Sequence, residues 1–188
     1  MFGRKIWGML KAIVFMAIFS LDAEAIIVKL ADLHTMAKQS DVVIHGYVGG
    51  SKVTRDKHGR NITLSEIEVV DGLYGAKTGE VITLYQVGGE SNGMISPIIG
   101  GQRYEVGSEL IFFGLKLGEK FVSYGAGQGK LDVDQNASND KVREDLGDVS
   151  AVDSYSSASS SPYRPSPLTF SDVNILKDEI RQMLKERR

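Results

Sequence analysis

The stretch DVVIHGYVGGSKV, Asp41 to Val53, carries the reading of the fold. Its β-branched residues favour a pleated, half-buried backbone. Gly46, Gly49 and Gly50 interrupt it, and glycines inside a strand pattern mark bends or bulges. A small barrel needs such bends for its sheet to curl and close, so this first strand is expected to be coiled.

Working outward, RDKHGR makes a turn and NITLSEIEVVDGLYG a second strand. There Ile62 and Leu64 alternate in one phase and Ile67 and Val69 in the other, which predicts a bulge near Ser65. EVITLYQVGG is a third strand, SELIFFGLK (Ser108 to Lys116) a fourth, and KFVSYGAGQGKLDV (Lys120 to Val133) a fifth, broken by its glycines. Five strands at this spacing indicate a mainly β barrel or sandwich rather than βαβ units. Between strands three and four, the glycine-rich segment from Gly88 to Gly107 reads as a long irregular loop, a type of segment that is commonly functional.

Helices flank the strands. Asp32 to Gln39 places Leu33, Met36 and Ala37 on one face, with Asp32 as the cap. At the other end Ser171 is the expected N-cap of a helix whose stripe is Val173, Leu176, Ile180, Met183 and Leu184. Such a stripe either packs on the parent domain or is presented to a partner. The Ser-, Asp- and Pro-rich stretch 135–170 has few large apolar residues to offset its ordering entropy and reads as a flexible linker.

The N-terminus has its own logic. Arg4 and Lys5 precede the apolar run Ala12 to Leu21, and Ala23-Glu24-Ala25 supplies small residues at a cleavage site before Ile26. Residues 1–25 are expected to be a signal peptide, residues 26–134 the β domain and residues 171–188 the terminal helix. A membrane span needs about 20 predominantly apolar residues, and Lys11 would interrupt one here, so any membrane contact is expected through the transient signal peptide alone. The expected location is periplasmic or extracellular.

The chain has no cysteine, which excludes disulfides and thiolate chemistry. Removal of Arg4, Lys5, Lys11, Asp22 and Glu24 with the signal leaves 19 basic against 22 acidic residues, a net charge of −3. That balance gives no electrostatic argument for nucleic acid.

YGAGQGKL, Tyr124 to Leu131, has the look of a phosphate loop but fails the test. The first glycine of G-x-x-x-x-G-K-[ST] would be Tyr124, and its hydroxyl position is Leu131. A glycine-bent strand is the expected structure. His34, His45 and His58 share no metal-ligand spacing, so neither a metal nor another cofactor is expected. A metal-dependent hydrolase would have to assemble its site in the fold, with His45, Glu66 and Glu68 as its candidates. Asn61-Ile62-Thr63 fits a glycosylation sequon.

The order AKQSDVVIHGYVGGSKV, SEIEVVDGLYG, GEVITLYQVGG, YEVGSELIFFGL and GQGKLDV resembles the netrin-like fold of tissue metalloprotease inhibitors, an OB-type barrel. It also resembles small exported bacterial proteins of unassigned function. The resemblance spans about Lys29 to Asp134 and implies a five-stranded OB-like barrel. The animal inhibitors use a cysteine-bonded N-terminus to chelate protease zinc, which a chain without cysteine does not reproduce.

The expected function is a non-catalytic binding module for a protein partner, in the narrower form an inhibitor or escort of a secreted protease. Its contact residues are expected in the long loop: Met94, Ile95, Ile98, Ile99 and Arg103. The alternative is a structural or assembly protein of the envelope.

Overall fold

The computed structural model describes residues 27–28, 30–91, 93–98, 102–135, 140–144, 150–151 and 168–187. The expected signal peptide lies outside them. The elements are β1 (Ile27–Val28), α1 (Leu33–Gln39), β2 (Val42–Arg55), β3 (Asn61–Tyr74), β4 (Val81–Val87), β5 (Gly89–Ser91), β6 (Met94–Ser96), β7 (Glu109–Leu117), β8 (Lys120–Ser123), β9 (Lys130–Asp134), β10 (Lys141–Glu144), β11 (Ser150–Ala151), β12 (Thr169–Phe170) and α2 (Val173–Lys185).

Five strands close a ring. β2 pairs with β3, β3 with β4, β4 in parallel with β8, β8 with β7, and β7 again with β2. Counted in chain order the ring runs 1-2-3-5-4, an OB-like barrel. β9, β10 and β12 extend the sheet beyond β7. Among the described residues no helix is long and apolar enough to cross a membrane.

The composition of β2 and β7 follows from their neighbours. Val42, Ile44 and Val48 of β2 point into the barrel with Leu110 and Phe112 of β7. The intervening Val43, Ile111 and Phe113 point outward, into a second core roofed by both helices. Strands covered on both faces read as continuous apolar runs rather than alternating ones, which is why VVI and LIFF occur where they do.

The coiling of β2 is present. Its register against β3 shifts between Val43 and Ile44, His45 and Gly46, and Val48 and Gly50. A Cβ at Gly46 would stand 2.3 Å from the Glu68 carbonyl oxygen, so the approach of the two strands requires glycine there. The irregularity near Ser65 lies on the partner strand, between Val48 and Gly50 opposite Ile67 and Glu66, while β3 itself runs regularly through Ser65, which pairs with Ser51. Ser65 is itself buried, in step with Ile67 and Val69, and its Oγ lies 3.2 Å from Ser51 Oγ. A small polar residue occupies an inward position there, and this produced the apparent change of phase.

The expected fifth strand is two strands. β8 closes the barrel, a 3₁₀ turn at Tyr124–Gly127 reverses the chain, and β9 returns along β7. Gly125 and Ala126 adopt left-handed conformations, with φ of 59° and 56°. The Gln128 side chain fastens the reversal, accepting from the Ala31 N–H and donating to the Gly125 carbonyl. The phosphate-loop look of YGAGQGKL is thus a tight turn.

Helix α1 starts as expected, with Asp32 Oδ1 accepting from the Thr35 N–H at 2.6 Å. In α2 the cap is Asp172 rather than Ser171; its carboxylate accepts from the Asn174 and Ile175 N–H groups. Val173, Leu176, Ile180 and Leu184 are buried against α1 and the outer sheet face, so the helix packs on its own domain. Beyond it, Arg187 donates to the Ser40 carbonyl at 2.6 Å and lies 4.4 Å from the Tyr74 ring centre. Within 135–170, read as a linker, β10 and β12 add to the main sheet and β11 pairs with β1. The serine-rich middle, 152–167, lies outside the described residues.

A candidate binding cleft beside the β5–β6 hairpin

The segment from Gly88 to Gly107, expected to be irregular, contains an antiparallel hairpin. Gly88 and Gly89, with φ of 111° and 121°, turn the chain sharply at the end of β4. Side chains are excluded there: a Cβ at Gly88 would meet the Pro97 carbonyl oxygen at 2.2 Å, and one at Gly89 would meet Thr63 Oγ1 at 2.5 Å. β5 and β6 then pair from Gly89 with Ser96 to Ser91 with Met94, on either side of Asn92-Gly93. Asn-Gly between short extended segments is a strong hairpin signal, and it is the sign of this hairpin in the sequence.

Polar side chains of β3 fasten this hairpin to the barrel. Thr63 Oγ1 donates to the Gly88 carbonyl at 2.9 Å, and Asn61 Nδ2 lies 3.4 Å from both the Gly89 carbonyl and Ser96 Oγ. Asn61 is only 7% exposed, so the sequon is structural in the folded chain.

Between hairpin and barrel lies a cleft of about 350 Å³, bordered by Val53, Gln86, Ile95, Ile98, Arg103 and Tyr104. A second, of about 470 Å³, adjoins it and is bordered by Arg55, Arg60 and Val87. Ser96 and Pro97 line both.

The floor is held from below. Buried Tyr104 meets Phe112 edge-on, ring centres 6.2 Å apart. Lys130 sends its ammonium under the segment, donating to the Arg103 carbonyl at 2.7 Å, pairing with Asp132 at 2.9 Å and lying 5.4 Å from the Tyr104 ring centre. Burial raises the Tyr104 phenol well above its ordinary pKa, so it stays protonated. Gln86 Nε2 adds a bond to the Gln102 carbonyl at 3.0 Å. Lys130 and Asp132 were missed in the sequence. They share the phase of β9 opposite to Leu131 and Val133, an alternation that suggests solvent rather than the underside of a cleft.

Of the expected contact residues, Ile95, Ile98 and Arg103 come together at this cleft. Ile95 is 76% exposed. Met94 lies in β6, but its side chain and all of Ile99 fall outside the described residues.

The histidines do not converge. His34 is an exposed helix residue 3.6 Å from Glu186, and His58 lies in the β2–β3 turn. Among the described residues no group of three or more His, Asp or Glu is arranged to hold a metal ion, and no hydrogen bond joins His45 to Glu66 or Glu68. His45 instead meets Glu109, Nε2 to Oε1 at 2.6 Å, on the outer face of the sheet. Glu109 Oε2 accepts from Gln135 at 2.8 Å, and the Tyr47 hydroxyl donates to the same carboxylate. Burial pushes the Glu109 carboxyl up, but the bonds from Gln135, His45 and Tyr47 outweigh it and hold it below its ordinary value. An ionised carboxylate only accepts, so His45 Nε2 carries the proton. Both side chains are more than nine-tenths buried, which makes the pair a fastening between β2 and β7.

Comparison with protein families and with curated proteins yields no match for this chain.

Proposed function

We propose that the chain is an exported, non-catalytic binding module that grips a protein partner at the cleft beside the β5–β6 hairpin. The observation that supports this reading is Ile95. It is a large apolar side chain open to water on a hairpin that Asn61 and Thr63 tie to a closed barrel. An apolar anchor on a fixed support loses little entropy on docking, the circumstance in which a few residues carry most of the binding energy.

Inhibition or escort of an exported protease is the narrower form of the proposal, and it draws on the netrin-like resemblance. Without cysteine, the zinc-chelating N-terminus of the animal inhibitors has no counterpart, so contact through the hairpin is the route that remains.

The test is affinity capture of exported proteins by the tagged chain from Ile26 to Arg188, repeated with Ile95→Asp and Ile98→Asp. Recovery of a saturable partner should fall about tenfold or more in each variant, as for loss of an apolar anchor. Melting temperatures should stay within about 4 °C of the parent, the shift expected for roughly 1 kcal/mol in a domain of this size. Equal recovery by all three proteins removes the cleft from the binding surface.

A further inference from the structure

The same cleft carries a more specific reading, which rests on the binding-module proposal and names the chemistry of the partner. Among the described residues β6 pairs with β5 and with no other strand. In a two-residue hairpin the residues flanking the turn, here Ser91 and Met94, exchange both backbone bonds, and the next pair along exchanges none. The N–H and C=O of Ile95 therefore face away from β5. An open edge of this kind is a template for another extended chain. Pro97, with no N–H, ends the template just after Ser96.

Charge indicates what kind of strand would fit. Arg103 borders one cleft, and Arg55 and Arg60 border the other, on either side of the Ser96-Pro97 step. Among the described residues, Glu90 is the one carboxylate bordering either cleft. Arg60 is partly engaged by Asp56 at 2.7 Å but remains 57% exposed. Lys52 and Lys57 add exposed positive charge on the same β2–β3 arm. This cationic rim stands on a chain whose net charge is −2.

We infer that the cleft takes a short, acidic, extended segment of a partner polypeptide. The segment adds to the free edge of β6, sets an apolar side chain against Ile95 and Ile98, and aligns carboxylates with Arg103 at one end and Arg55 and Arg60 at the other. A strand is favoured over other polyanions because the open Ile95 peptide group supplies a donor and an acceptor together. A sugar sulfate or a nucleic-acid phosphate offers acceptors alone at that point.

The test uses isotope-labelled protein from Ile26 to Arg188 and four probes: acetyl-Asp-Val-Asp-Ile-Asp-Val-amide, its Lys-for-Asp counterpart, the acidic peptide N-methylated at alternate amides, and a heparin hexasaccharide. The acidic peptide should shift the amide signals of Ile95, Ile98 and Arg103 saturably. The lysine and N-methylated peptides should bind about tenfold more weakly or worse, through lost charge pairing and lost ladder bonds respectively. Arg103→Ala should weaken the acidic peptide severalfold while leaving the melting temperature unchanged.

Equal binding by the lysine peptide at these residues overturns the acidic partner and leaves the binding-module reading intact. Equal binding by the N-methylated peptide overturns strand addition. Tighter binding of the hexasaccharide at the same residues overturns the inference in favour of an anionic glycan. Absence of saturable shifts in the cleft with every probe overturns it outright, whereas the capture experiment with Ile98→Asp judges the wider reading separately.

Discussion

One strand does two jobs in this molecule. From Val42 to Val48, β2 is buried apart from a half-exposed Tyr47; from Gly49 to Arg55 it is exposed or half-exposed throughout. The first half has the barrel interior on one side and the helix-roofed core on the other, while the second half runs out beyond both as one side of an arm. The change comes at the register shift between Val48 and Gly50. A bulge raises local twist and re-aims the chain, so a single irregularity ends the core and begins the surface that borders the clefts. Burial is concentrated before the shift, and the open surface beside the clefts lies after it.

The largest expected effect comes from uncovering the buried half. Deleting residues 171–188 removes Val173, Leu176, Ile180 and Leu184 from the core that covers Val43, Ile111 and Phe113. Each fully buried side chain of that kind contributes about 1.5–3 kcal/mol, and together they rival the roughly 5–15 kcal/mol that separates folded from unfolded domains. The truncated chain should show no cooperative thermal transition by circular dichroism. A sharp transition within a few degrees of the parent would mean that the outer core is dispensable and the barrel stands alone.

The two halves of β2 differ next in their tolerance of a methyl group. Gly46→Ala forces a Cβ to within 2.3 Å of a backbone oxygen, whereas at Gly50 the nearest atom would be Glu66 Oε2 at an ordinary 3.6 Å. Overpacking against backbone costs about 1–3 kcal/mol or more. Gly50→Ala should lie between neutral and about 1 kcal/mol stabilising, because it restricts the unfolded chain where space is free. Urea denaturation of both variants gives the comparison, and equal losses would show that the bulge does not divide the strand.

How far the sequence revealed this division depends on the layer. The density of Val and Ile from Val42, and the glycines at 46, 49 and 50, carried the coiled strand and the barrel, because burial and backbone approach act through residue type. Ser65 misled because a small hydroxyl in an inward position looks like a change of face. The split at Tyr124 was hidden because a glycine-bent strand and a glycine-made reversal use the same residues. At the cleft, Ile95, Ile98 and Arg103 were legible as apolar and basic residues in a long glycine-rich segment. Lys130 beneath them was not, since only the fold brings it under Arg103. Glu109 was hidden for the same reason, its partner His45 lying on another strand.

That His45–Glu109 contact sharpens the comparison through pH. Glu109→Gln keeps the shape but removes the charge, and hydrogen bonds to charged groups contribute about 1.5–3 kcal/mol. The variant should be less stable than the parent by that order at neutral pH. The folded carboxyl titrates below its ordinary value of 4.5. Its stabilisation is therefore complete above the unfolded value and is lost as pH falls through the folded one. The gap between parent and variant should begin to close near the ordinary value and vanish at more acid pH. A gap that stays constant down the acid limb would assign the loss to packing rather than to the charge.

The smallest stability effect should come from Ile95→Ala. Ile95 makes no contribution to either buried core, and it is already 76% exposed in the folded chain. Folding therefore withdraws little of it from water, and surface changes of this kind usually stay within about 0.5 kcal/mol. Its loss should be felt in partner capture, where the same apolar area would be desolvated. If Ile95→Ala instead lowers stability by as much as a core truncation, about 2–5 kcal/mol, the side chain is covered within the molecule. The hairpin would then belong with the first half of β2, as part of the core, and not with the arm.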